Sequence, residues 1–265
     1  MSLRGQYLDA MGITRWVRRE LAPEAQIIEE TPPAVESQET AQVAEARRSK
    51  PEPLAPQSVP ASVESPRPSQ IVLDVSNSGW EELRSVVSNC RKCGLAESRT
   101  QTVFGTGNQE ADWLIIGEAP GEQEDRQGEP FVGRAGLLLN NMIKAVGFER
   151  DAVYIANVVK CRPPRNRDPS PEEVLACSSY LKRQIALIQP KLVLVVGRVA
   201  AQHLLNTTDA VGRMRGKLHT YPGTNTPLIV TYHPAYLLRR PIEKRKAWDD
   251  LKFALTTYRS RLEPA

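Results

Sequence analysis

Apolar residues gather along this chain in short runs, and stretches of helical periodicity separate them. The runs are Trp113–Ile116, Val153–Val159, Leu192–Val196 and Leu228–Thr231. Short apolar runs bounded by Gly, Pro or polar clusters predict buried strands. Apolar positions recur every three or four residues in 80–88, 134–146, 171–188, 198–205 and 243–262, which predicts helices. Ser78 and Glu81 read as a capping box at the first of these. Ser170, Pro171 and Glu173 read as N-cap, N1 and capping-box acid at the third, and Gly147 as the stop of the second. Continuous Val/Ile/Leu strands alternating with helices are the pattern of a parallel sheet covered on both faces. The expected fold is α/β, a three-layer α/β/α sandwich with a mostly parallel central sheet, over residues 71–265.

The chain ahead of that domain reads differently. Residues 1–20 set Leu8, Met11, Ile13 and Trp16 against Arg15, Arg18 and Arg19, with Gly12 as an interruption. So short an amphipathic segment cannot bury its own apolar face, and a docking segment is expected. Residues 21–70 are rich in Pro, Ala, Glu, Ser and Gln and show no period. Such a composition cannot offset its ordering entropy, which predicts a disordered, extended linker.

Composition narrows the function classes. Of 265 residues 40% are hydrophobic, enough for a core, and no apolar run reaches membrane-spanning length. With no signal-peptide pattern either, a cytoplasmic protein with no membrane partner is expected. A monomer is expected too. The net charge of +4 permits nucleic-acid binding without requiring it. The four cysteines are Cys90 and Cys93 in a C-x2-C pair, then Cys161 and Cys177. In a cytosolic chain these are not expected to be disulfides; four thiolates suit zinc or an iron–sulfur cluster. The wide second pair fits a zinc ribbon poorly, and four unrelated buried thiols remain the alternative.

The stretch 113–140 reads as a strand, a Gly/Pro-rich loop and a helix. In open α/β sheets ligands bind where loops leave the carboxyl ends of strands. This loop carries Gly117 and Gly121, where backbone can approach a ligand closely, the acids Glu118, Glu122, Glu124 and Asp125, and an aromatic, Phe131, after a proline. Glu118, Asn157 and His233 each stand at the end of a predicted core strand. Parallel strands bring such ends to one edge, so the three side chains are expected to converge.

These pieces, namely C-x2-C, GEAPG with ED and PFVGRAG after it, YIANVVKCRPPRNRDP, the later Cys177 and HPAYLLRR, resemble the family 4 uracil-DNA glycosylases, the iron–sulfur members of their superfamily. The resemblance spans about residues 75 to 260, in order. It implies an enzyme that hydrolyses the bond between uracil and deoxyribose in single- or double-stranded DNA. An extruded base would stack on Phe131, meet the amide of Asn157 on its edge, and lie against a rim of Glu118, Ala119 and Pro120. His233 would donate a hydrogen bond to uracil O2 as the bond breaks. Better-known uracil glycosylases carry an Asp for the attacking water where this chain has Ala119; Glu118 is the candidate here, with Glu124 and Asp125 as rivals. The resemblance makes Cys90, Cys93, Cys161 and Cys177 the ligands of a structural [4Fe–4S] cluster. DNA contacts are expected from Arg162, Arg165, Arg167, Arg239, Arg240, Lys244, Arg245 and Lys246. Tyr236 to Leu238 are expected in an exposed loop, able to wedge into the gap that a flipped base leaves. A related group that cross-links to DNA carries KRRIH and GEQPG; this chain has neither, so turnover is expected.

Residues 1–20 have a resemblance of their own. Arg4, Leu8, Met11 to Thr14 and Trp16 look like the N-terminal peptide of the psi subunit of bacterial DNA polymerase III, which docks on the clamp loader. That implies a tether to the replisome. Two other functions fit parts of the sequence: a non-catalytic or cross-linking uracil sensor, and an iron–sulfur redox module. The second leaves the strand-end residues and basic loops unexplained.

Overall fold

A computed structural model describes residues 74–262. The expectations for 1–20 and 21–70 lie outside the described residues. A six-stranded sheet runs through the described part in the order β1-β3-β2-β4-β6-β5. Its central strands are β2 (Trp113–Gly117), β3 (Tyr154–Asn157), β4 (Leu192–Val196) and β6 (Pro227–Thr231), all parallel. Two-residue strands β1 (Thr106–Gly107) and β5 (His219–Thr220) add antiparallel edges. The sequence did not predict them, because two residues carry no readable alternation.

Both faces of the sheet are covered, as the unbroken apolar strands require. Along β2, Leu114 and Ile116 enter one core with Val193, Val195 and Tyr180, while Trp113 and Ile115 enter the other with Leu139, Met142 and Leu251. Helices α1 (Trp80–Ser88), α5 (Pro171–Ile188) and α6 (Arg198–Leu205) supply the first core. Helices α4 (Arg134–Ala145) and α9 (Lys244–Arg259) supply the second. Shorter helices are α2 (Leu95–Ser98), α3 (Glu122–Gln127), α7 (Val211–Met214) and α8 (Pro234–Arg239). No helix among the described residues is long and apolar enough to cross a membrane.

Capping follows the sequence at α5, where Ser170 Oγ accepts from Glu173 N and Glu173 Oε2 accepts from Ser170 N. At α1 it does not. Gly79 is the N-cap, without a side-chain bond. Ser78 is instead buried, and its carbonyl accepts from Arg183 Nε at 2.6 Å, tying the loop to α5. The expected loop 118–133 also contains a helix, α3, and the expected exposed loop 236–238 is helix α8, with Leu237 only 1% exposed. Its side chain packs in the second core, so Leu237 is not a free wedge.

Candidate active site and cysteine centre

Parallel pairing puts Gly117 beside Asn157 at the carboxyl ends of β2 and β3. His233 follows β6, across β4 from them. The strand ends open on a cavity of about 420 Å³ lined by Glu118, Ala119, Pro120, Phe131, Asn157 and His233, among others. The residues expected to converge therefore do.

Close contact in this cavity depends on Gly117. A Cβ there would stand 2.5 Å from Asn157 Oδ1 and 2.6 Å from Phe131 Cζ. Phe131 itself is held at φ 55°, a left-handed conformation that a bulky residue adopts only under constraint. The constraint is visible: Arg150 Nη2 donates to Pro130 O at 2.6 Å, and Gly136 lies so close beneath that a Cβ would fall 1.8 Å from Phe131 O. The Phe131 and His233 rings lie 5.5 Å apart, tilted by 31°.

Asn157 is 2% exposed, and its Oδ1 is buried without a hydrogen-bond partner. An orphaned buried acceptor is costly, about 1–3 kcal/mol, and calls for a donor from outside the chain. His233 caps α8 with its own ring: Nδ1 accepts from Ala235 N at 3.1 Å. That bond leaves the proton of the neutral ring on Nε2. Burial, helped by the Arg239 charge, pushes the His233 pKa down to about 4, so the ring is neutral near pH 7. Glu118 behaves oppositely. Burial first, then the charge and hydrogen bond of Asp168, raise it to about 7, while Arg198 opposes. Arg198 pairs with Asp168 directly.

Of the rival carboxylates Glu124 also lines the cavity, but backbone amides occupy the oxygens of both. Asp125 is buried and accepts from Thr100 N at 3.0 Å. Glu124 ties both ends of its loop together, accepting from Gly121 N through one oxygen and from Val132 N and Gly133 N through the other. Its capping role escaped the sequence because the N-cap, Gly121, has no side chain to mark it.

The cationic residues divide. Arg239 and Arg167 line the cavity. Arg167 is also held bidentately by Glu173 at 2.7 and 2.8 Å. Arg162 Nε donates to Asn166 Oδ1 at 2.7 Å, with Glu122 3.6 Å away. Arg165 and Arg240 are exposed. Tyr236 lines the cavity and stacks on Tyr232 at 5.0 Å.

The four cysteines, all free thiols, line a second cavity with Arg99, Lys160 and Tyr180. Among the described residues no group of three or more His, Cys, Asp or Glu is arranged to hold a metal ion. All four line the walls of that one small cavity. Burial raises Cys93, Cys161 and, to about 12, Cys177. Metal binding would have to displace those protons. Cationic and amide donors face the sulfurs: Arg99 Nη1 donates to Cys161 Sγ at 3.0 Å and Lys160 N to Cys177 Sγ at 3.3 Å. Lys160 and Gln184 were not singled out from sequence; a lysine within an apolar run was the available signal.

Fold and site together define an α/β/α protein with a polar-rimmed pocket at the sheet's carboxyl edge and a separate thiol-lined cavity. A sequence profile of the uracil DNA glycosylase superfamily matches residues 104–252, and the chain belongs to that superfamily. It is 45% identical over 172 residues to the type-4 uracil-DNA glycosylase of Archaeoglobus fulgidus, covering 63% of this chain and 86% of the relative. It is 44% identical over 179 residues to that of Sulfurisphaera tokodaii (65% and 81%), and 43% identical over 164 residues to that of Thermotoga maritima (60% and 85%).

Proposed function

We infer that this protein is a hydrolase, a DNA N-glycosylase that removes uracil from DNA and leaves an abasic site. The observation that carries the reading is the buried, unpartnered Oδ1 of Asn157 in a pocket walled by Phe131 and His233. Uracil presents a donor at N3 and an acceptor at O4, which the two ends of an amide complement. Cytosine presents the reverse pattern, an acceptor at N3 and a donor at N4, so with the amide oxygen facing N3 it would set acceptor against acceptor and leave the buried oxygen unsatisfied.

The chemistry follows from the extruded base. Phe131 stacks on the ring. As the C1′–N1 bond breaks, electrons pass to the uracil ring and positive charge develops on the sugar. His233, neutral with its proton on Nε2, donates to O2 where that negative charge collects. Water adds to C1′; Glu118, when ionised, orients it and takes its proton, which leaves with uracil or to solvent. Glu118, Ala119 and Pro120 form the rim. Arg162, Arg165, Arg239 and Arg240 approach the phosphates.

Cys90, Cys93, Cys161 and Cys177 would hold a [4Fe–4S] cluster, which joins the chain before α2, the loop after β3 and α5 into one body. The buried cationic surroundings of the thiols support an anionic group there. The tether role of residues 1–20 stays a proposal from their sequence; a peptide of that segment with no affinity for the clamp-loader complex would remove it.

The test is an oligonucleotide bearing one uracil, incubated with iron-loaded protein and treated with alkali. Cleavage at the uracil is expected, reduced roughly 10²-fold or more in Asn157→Ala and in His233→Ala. Retained binding with no cleavage by the wild type would favour the uracil-sensing alternative.

A further inference from the structure

Lys160 is the buried lysine of the described residues, at 1% exposure, and it touches both cavities' machinery. Its backbone N–H donates to Cys177 Sγ, and Cys161 is its neighbour in the chain. Its Nζ donates to Asn157 O at 2.9 Å and to Gln184 Oε1 at 2.7 Å. Gln184 is fixed in turn, donating to Phe104 O at 2.9 Å and to Tyr154 OH at 3.3 Å.

The bond to Asn157 O completes a clamp. On the far side of the same peptide, Val158 N donates to Gly117 O at 2.9 Å. The peptide that follows Asn157 is thus gripped at its carbonyl by Lys160 and at its amide by β2. Neutral donors could satisfy a carbonyl and an amide oxygen. An ammonium buried this deeply is strongly unfavourable unless negative charge faces it. Lys160 lines the cavity together with Cys90, Cys93, Cys161 and Cys177, and no carboxylate lines it.

We propose that Lys160 is a positioning residue, held in place by thiolate charge in the cysteine cavity, which sets Asn157 for base recognition and so couples the filled cavity to uracil binding. This rests on the reading that the four cysteines hold an anionic cluster and that Asn157 reads uracil. Lys160 need never touch the base.

The experiment uses the full chain as isolated with iron. Wild type, Lys160→Met, Asn157→Ala and the double variant are compared by iron per chain, by cluster reduction potential, and by calorimetric titration with free uracil. Lys160→Met is expected to bind uracil at least tenfold more weakly, with a lowered potential because a cation beside the cluster is gone. In the Asn157→Ala background the same change is expected to cost less than twofold, since both act through one contact. Unchanged uracil affinity in iron-loaded Lys160→Met, or losses that multiply in the double variant, would overturn the proposal. If Lys160→Met does not load iron, Lys160→Gln, which keeps a donor without the charge, is read on the same measures. If neither loads, wild type stripped by a chelator decides: undiminished uracil affinity overturns the coupling, and weakened affinity in folded apoprotein supports it. Wild type that holds no iron, or has no affinity for uracil, would instead overturn the underlying reading, and the coupling with it.

Discussion

Glu118 and His233 face one cavity and titrate in opposite directions for the same first reason, burial. For Glu118 the second cause is Asp168, a like charge within hydrogen-bonding reach, and the Asp168–Arg198 pair only partly offsets it. A carboxyl poised near 7 is well matched to orienting water at neutral pH. The kcat/KM for a uracil oligonucleotide should therefore rise with pH through about 7 and level off above it. Asp168→Asn should move that limb to lower pH, and Glu118→Gln should flatten it with a loss of roughly 10²-fold. A wild-type limb unmoved in Glu118→Gln would assign the titration to another group. His233 adds no limb in this range, because it is neutral above about pH 4. The linkage to stability has a definite sign. Folded Glu118 binds protons more tightly than the unfolded chain, so its contribution is present at acid pH and lost as pH rises through about 7. Glu118→Gln should thus gain thermal stability relative to wild type at pH 8 and lose that advantage at pH 5.

At the scale of elements, α8 is where pattern and structure part. HPAYLLRR reads as a polar-flanked apolar loop, but His233 caps a helix that turns Leu237 into the core and leaves Leu238 36% exposed, next in the chain to Arg239 of the cavity lining. Leu237→Ala should therefore cost roughly 2–5 kcal/mol in denaturant unfolding. Leu238→Ala should leave stability within about 0.5 kcal/mol and lower activity on duplex more than on single-stranded uracil DNA. Equal losses on both substrates would remove Leu238 as a wedge. The same contrast explains what could be read from sequence. The strands from Trp113 and Leu192 and the helix from Pro171 were legible because burial on both faces and capping chemistry leave a local mark. The convergence of Glu118, Asn157 and His233 was legible because parallel strands share an edge. Helix α3, strands β1 and β5, the Glu124 ties and the Lys160 clamp were not. Each depends on partners distant in sequence or on a glycine that carries no signal.

Over the whole molecule, a small net positive charge conceals an uneven division of labour among arginines. Counting basic residues in CRPPRNRDP and HPAYLLRR would assign them all to DNA, but several have protein partners. Arg167 is forked onto Glu173, the acid that also caps α5, and Arg162 is engaged by Asn166 and Glu122. Arg165 stands in a left-handed turn at φ 56° and Arg240 follows α8, and both are exposed. A cation that is already paired releases few ions when a phosphate arrives, whereas an exposed one contributes fully to the salt dependence of binding. Measured with an uncleavable uracil analogue, the slope of log K against log salt should fall by about 1 for Arg165→Ala and again for Arg240→Ala. Arg167→Ala should change that slope little, because what it loses is its hold on Glu173. A slope that drops as much for Arg167 as for Arg240 would mean that the Glu173 pair opens on DNA, making the α5 cap part of the interface.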